Sequence, residues 1–231
     1  MKYLLGYDIG SSSIKAALLE ADSGKIIASA FSPSSEMEII SSQPGFAEQD
    51  TERWWQELII ATIKLRQQIS YKENEIIAIG ISYQMHGLVC VDKNLQPLRP
   101  SIIWCDSRAV EFGDKAFKAL GEEFCLKNFL NSPGNFTASK LKWIKENEPD
   151  VYGKIYKIML PGDYIALKLS GEPTTTISGL SEGIFWNYQT NSIARELLNY
   201  YEINENLLSS IVPTFGEQGK VNKEAAEILG I

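Results

Sequence analysis

The chain of 231 residues has one histidine and three cysteines, and nowhere does it gather a run of lysines and arginines. Cys90, Cys105 and Cys125 are odd in number and widely spaced, which excludes a disulfide framework and a metal knuckle. Asp and Glu outnumber Lys and Arg by 29 to 22, a formal charge of −7. The basic stripe that duplex binding requires is therefore missing, and nucleic acid is not an expected partner. No apolar run approaches the roughly 18 to 20 residues of a membrane-crossing helix. Met1 to Asp8 meets charge too early for a secretory signal. The expected setting is cytoplasmic, with reduced thiols and no membrane partner. A lone histidine among many serines also makes any Ser/His/Asp triad arbitrary. Repeats and low-complexity linkers are absent too, so one continuous domain over residues 1–231 is expected.

What is present reads as ordinary globular composition, 44% hydrophobic and 22% charged. Tyr3–Ile9, Ile14–Leu19 and Lys25–Phe31 are apolar segments joined by the short links 10–13 and Asp22-Ser23-Gly24. Links this short hold no helix, so the three segments are predicted to be antiparallel strands. Asp50 suits a helix N-cap, and the apolar positions Trp54, Trp55, Leu58, Ile59, Thr62, Leu65 and Ile69 then follow helical spacing. Glu75–Ser82 is apolar on both alternating faces, which predicts a central strand covered on both sides. Shorter strands are expected at Leu88–Val91 and Ser101–Trp104. Helices are expected near 108–120, 121–130, 136–147, 161–169, 193–200 and 223–229. The order predicts an α/β fold with a mixed sheet flanked by helices, and excludes a Rossmann unit, where a helix follows the first strand.

Three segments carry candidate chemistry. Asp8-Ile9-Gly10-Ser11-Ser12-Ser13-Ile14-Lys15 sets a carboxylate at a strand end, then a turn of small hydroxyl residues, then a lysine. Backbone N–H groups and hydroxyls in such a turn form an anion-binding concavity, and Asp8 suits a hydrated magnesium ion. The competing reading is a plain hairpin turn. Ser82-Tyr83-Gln84-Met85-His86-Gly87 ends the best strand, where open α/β sheets collect ligands. Gln84 and His86 suit hydroxyl groups and Met85 an adaptable wall, against the alternative of a satisfied core histidine. Trp104, Asp106 and Arg108 combine an aromatic ring with two charges, as polyol sites do, or form a surface ion pair beside a buried Trp. The segment 136–147 reads as a structural amphipathic helix, and Ser178–Gly183 as a connection without the strand and helix of a phosphate loop.

Taken in order, these segments resemble the FGGY carbohydrate kinases, and among them the xylulose kinases. The resemblance rests on Asp8–Lys15, Pro44-Gly45-Phe46-Ala47-Glu48-Gln49-Asp50 with Trp54-Trp55, and Gln84-Met85-His86-Gly87. It continues through Arg99-Pro100 with Trp104, Asp106 and Arg108, then Lys140-Leu141 with Trp143, and Leu160-Pro161 with Asp163-Tyr164. It implies an actin-like, ribonuclease-H-like domain that holds a sugar, facing a nucleotide-binding domain across a cleft, with ATP and Mg2+ as cofactors. Carried over, Asp8 positions the metal, and Gly10, Ser11, Ser12, Ser13 and Lys15 face the phosphate. Gln84, Met85, His86, Trp104, Asp106 and Arg108 face the sugar. Cys105 departs from the family, which more often has Asn or Gln there. The family's catalytic Asp falls beyond Ile231, so no catalytic residue is assigned within the chain, and the C-terminal nucleotide-binding domain is absent from it. The expectation is the sugar-binding half of a ketopentose kinase, most closely D-xylulose to D-xylulose 5-phosphate, inactive alone. Ribulose, fuculose or glycerol as substrate, a non-catalytic sugar binder, and a homodimer through the uncovered face stay open.

Overall fold

The first three strands of the computed structural model, which describes residues 1–231, are β1 (Tyr3–Ile9), β2 (Ile14–Glu20) and β3 (Ile26–Ser32), joined as two hairpins. Both antiparallel pairings match the expectation, because neither link is long enough to cross over. After β4 (Glu48–Gln49), α1 runs from Thr51 to Arg66, and β5 (Ile76–Tyr83) then adds to β1 in parallel. The sheet order is β3-β2-β1-β5. Period-two alternation sends Leu5, Tyr7 and Ile9 of β1 and Ile14, Ala16 and Leu18 of β2 to one face, all buried. Trp54, Leu58, Ala61 and Leu65 of α1 close that face, and the Tyr7 hydroxyl meets the Thr62 hydroxyl at 2.8 Å. Each such large apolar side chain contributes about 1.5–3 kcal/mol by leaving water.

The helix start is as expected: the Asp50 side chain accepts from Glu52 N at 2.9 Å. The expectation of a central strand at 75–82 is corrected. β5 is the sheet edge, and Ile77 is 54% exposed. Apolar residues on both faces mark a strand meant to be covered, but composition does not say whether a further strand stands beside it. A groove of about 620 Å³ runs along this edge, lined among others by Ile77, Ile79, Phe215 and Ile231.

The chain continues through β6 (Val89–Val91), β7 (Ser101–Ile102), α2 (Val110–Leu120), α3 (Glu122–Asn128), α4 (Thr137–Asn147) and α5 (Pro149–Tyr152). It then forms β8 (Lys157–Met159), α6 (Pro161–Ser170), β9 (Thr174–Thr176), α7 (Ile177–Glu182), β10 (Trp186–Asn187) and β11 (Ser192–Ile193). The last elements are α8 (Arg195–Tyr201), β12 (Ser210–Val212) and α9 (Lys223–Leu229). The packed interior has two clusters. One joins the main sheet to α1, α6 and α9, and the other joins α2, α3, α4, α7 and α8 around Phe129, Leu141, Phe185 and Tyr201.

The stretch 178–183, expected as a connection, instead lies mostly in α7, with the Thr176 side chain accepting from Gly179 N at 3.0 Å. The pairings β4–β7, β6–β8 and β9–β12 were not expected. Strands of two or three residues are too short to show a period. No helix is long and apolar enough to cross a membrane.

Candidate functional site

β1 and its two neighbours place the first group. Register sets Asp8 opposite Lys15 on β2 and Ser82 on β5. The Asp8 carboxylate accordingly accepts from Lys15 Nζ at 3.0 Å and from Ser82 Oγ at 3.2 Å, and remains 43% exposed. The turn that follows is tight: Gly10 N donates to Ser13 O at 3.2 Å, and a Cβ on Gly10 would meet that carbonyl at 2.9 Å. A glycine is needed there because the backbone folds back on itself.

Backbone and side chains around this turn draw the other two motifs to it. Trp104 Nε1 donates to Ser11 Oγ at 3.2 Å, and Gln49 Nε2 donates to Ser11 O at 2.6 Å. Gln49 Oε1 in turn accepts from Trp54 Nε1 at 3.1 Å and from Gln84 Nε2 at 3.3 Å. Gln84 N donates to Ile9 O at 2.9 Å, so the loop after β5 starts beside the turn after β1. Trp104, 49% exposed, lies over the turn through its bond to Ser11, and Met85, 54% exposed, follows Gln84 in the loop. Gln84 Oε1 and His86 Nδ1 are buried without a hydrogen-bond partner. Unpaired buried polar atoms are costly; Gln84 Oε1 lies beside the turn, whereas His86 Nδ1 faces the Glu182 carboxylate at 3.7 Å.

His86 sits with φ 59°, a left-handed backbone uncommon outside glycine. Its carbonyl accepts from Lys140 Nζ at 2.8 Å, and the same ammonium reaches Ile103 O at 2.9 Å. Lys140 is buried, and desolvation lowers its pKa to about 8. Burial, with the Lys140 charge beside it, pushes His86 down to about 4, so the imidazole is neutral at physiological pH.

Asp106 and Arg108, expected to face a sugar, are engaged with the protein instead. Asp106 is fully buried, accepting from Ala47 N at 2.6 Å, Arg108 N at 2.9 Å and Arg108 Nη2 at 2.7 Å. Arg108 also pairs with Glu48 at 2.6 Å, and its guanidinium lies 3.7 Å from the Phe46 ring centre and 4.8 Å from that of Trp143. Its side chain is 1% exposed. These two residues hold the wall that carries Trp104, and no open face is left on either for a ligand. Sequence reasoning missed Gln49, Lys140 and Glu182 as parts of the corner. The resemblance had touched the first two by motif, but nothing in the local pattern of 178–183 singles out Glu182.

Residues from three segments, the turn after β1, the loop after β5 and the stretch around Trp104, thus meet at one corner. A family model described as the N-terminal domain of the FGGY family of carbohydrate kinases matches residues 3–231. The chain belongs to the FGGY family of carbohydrate kinases. A xylulose kinase of Staphylococcus xylosus is 32% identical over 234 residues, covering 100% of this chain and 47% of that protein. The solved xylulose kinase of Rhodospirillum rubrum superposes with a TM-score of 0.87 at 26% identity, over 100% of this chain and 46% of the other. A gluconate kinase from Lactobacillus acidophilus gives 0.88 at 25% identity, over 100% and 46%. The actin-like, ribonuclease-H-like FGGY architecture is thereby established. The chain spans about half the length of the curated relatives it matches.

Proposed function

We propose that this FGGY domain is the sugar-binding half of an ATP-dependent kinase acting on a ketopentose, with D-xylulose as the substrate. The observation that carries the reading is the corner where Gln84 and Trp104 meet the Asp8–Lys15 turn, with His86 two residues further along the same loop and Gln84 Oε1 buried and unpaired. Gln84 and His86 offer groups for sugar hydroxyls, and Met85 and Trp104 offer surface for C–H faces. The likeness to xylulose kinases favours D-xylulose, while the likeness to a gluconate kinase shows that the fold alone does not choose the sugar.

Asp8 fits a magnesium ion in one particular way. No cluster of three or more His, Cys, Asp or Glu exists to cage a metal, but a hydrated Mg2+ needs only one or two carboxylates plus waters and phosphate oxygens. Asp8 is exposed and flanked by the Ser11–Ser13 turn, so it suits that arrangement, with Lys15 beside it as a cation for phosphate oxygens. ATP and its metal supply the phosphoryl group and neutralise charge as it transfers. The chain's part is to bind and orient the sugar and to present a turn of hydroxyls and N–H groups to phosphate. The partner is the remaining half of a full-length kinase, for which the uncovered β5 edge is the apolar face available.

Calorimetric titration of the chain with D-xylulose, L-ribulose, L-fuculose, gluconate and glycerol, without nucleotide, tests the proposal. Selective heat with D-xylulose is expected, and the chain alone should release no ADP from ATP and D-xylulose. Preferential binding of another of these ligands would displace D-xylulose as the substrate. Absence of binding to all five, repeated in a full-length version, would overturn the sugar-site reading.

A further inference from the structure

Glu182 ends α7, far in sequence from the sugar corner, yet its carboxylate accepts the backbone N–H of His86 and lies 3.7 Å from the imidazole Nδ1. The Tyr83 side chain lies beside the same carboxylate. His86 is therefore held from two sides: Lys140 of α4 takes its carbonyl and Glu182 of α7 takes its N–H. The ring packs edge-on against Phe136 with centroids 4.2 Å apart. A left-handed non-glycine residue persists only where its surroundings impose it, and these two charged groups do so.

The charged and titratable groups around His86 are Lys140, Glu182 and Tyr83, with Asp163 of α6 on the far side of Glu182 and Tyr83. Burial leaves the imidazole neutral, as described above. A neutral imidazole carries one N–H, and the partner of one nitrogen decides the role of the other. At 3.7 Å the Nδ1–Glu182 contact is an ion-pair distance and not a hydrogen bond, and Nδ1 has no other partner. Lys140 carries no acceptor, so Glu182 is the charged group able to receive an Nδ1–H.

We propose that Glu182 is a positioning residue, fixing His86 in its left-handed backbone and in the Nδ1–H tautomer, so that Nε2 presents an acceptor to a sugar hydroxyl. This rests on the sugar-corner reading given above. It gives the site a chemical preference: a hydroxyl donates to His86 rather than accepting from it.

Because His86 is the only histidine, its two ring nitrogens are the only imidazole signals of the uniformly 15N-labelled chain, and long-range 1H–15N correlation reads the tautomer directly. At pH 7 the chain is expected to show Nδ1 protonated and Nε2 bare. Glu182→Ala removes the acceptor and should move the population to Nε2–H. Glu182→Gln keeps the volume and an acceptor for the backbone N–H, but an amide also presents a donor, so both tautomers should appear. D-xylulose affinity should fall at least tenfold in both variants. An Nε2–H tautomer in the unmodified chain overturns the proposal, as does a folded Gln or Ala variant that keeps the original tautomer. Unchanged sugar affinity despite a changed tautomer overturns the substrate role. If the unmodified chain binds no sugar, the sugar-corner reading fails, while the tautomer result still decides what Glu182 does to His86.

Discussion

Removing the Arg108 guanidinium should cost far more than removing a surface charge. Asp106 is fully buried, and Arg108 is its bidentate partner as well as the partner of Glu48, packed against both Phe46 and Trp143. Arg108→Ala strands Asp106 and half-strands Glu48, and breaking one side of a buried pair typically costs about 3–5 kcal/mol. In a chain of this size each kcal/mol corresponds to roughly 2–4 °C, so Tm should fall by about 6–20 °C. Arg108→Lys keeps the charge but loses the fork and the planar stack, and should recover only part of the loss. Urea denaturation of Arg108→Ala, Asp106→Asn and the double variant completes a thermodynamic cycle. The double variant should lose less than the sum of the singles by at least about 1 kcal/mol, since each single leaves the other group unpaired. Strict additivity, or a loss below about 1 kcal/mol for Arg108→Ala, would refute the claim that these residues lock the wall behind Trp104.

Burial raises the Asp163 pKa to about 6 even though Thr175, Leu160 N and Gln218 donate to it. The folded chain therefore holds this proton more tightly than the unfolded one, a contribution complete below about pH 4 and lost as pH rises to about 6. The stability of the parent relative to Asp163→Asn should decline across that window, and parallel pH profiles for the two would contradict it. Gly113→Ala should destabilise the α2 region by about 1–3 kcal/mol, because the added Cβ lands on the Gly134 carbonyl and backbone must move. An unchanged urea midpoint would refute this. Of the three thiols, only Cys105 is exposed, and burial raises Cys90 to about 12 and Cys125 to about 11. Ellman's reagent should label one thiol quickly in the native chain and three in denaturant. Fast labelling of two would place a buried cysteine wrongly.

The first hairpins, α1 with its Asp50 cap, and α4, α6 and α9 were legible in the chain because their signals are local: link length, apolar period and capping residues. The turn between Asp8 and Lys15 was legible too, but the ion pair that register makes between them appears only in the structure. Local signals fail where an element takes its meaning from a distant neighbour. The alternating apolar faces of β5 established that it is a strand, but only the assembled sheet shows it at the edge. Asp106 and Arg108 looked like binding groups because charge beside an aromatic ring has the same local pattern on a surface and in a core. Burial by Phe46, Trp143 and Glu48 settled the difference, and no window around residue 106 contains them. Glu182 carried no sequence signal at all, since its place beside His86 depends on how α7 packs against the loop after β5. The sequence by itself determined the first hairpins and the longer helices, and it singled out the Asp8–Lys15 turn and the Gln84–Gly87 loop as candidate sites. Tertiary packing alone decided which polar atoms are spent within the protein and which stay unpaired at the corner, because desolvation depends on everything that surrounds a group and not on its neighbours in the chain.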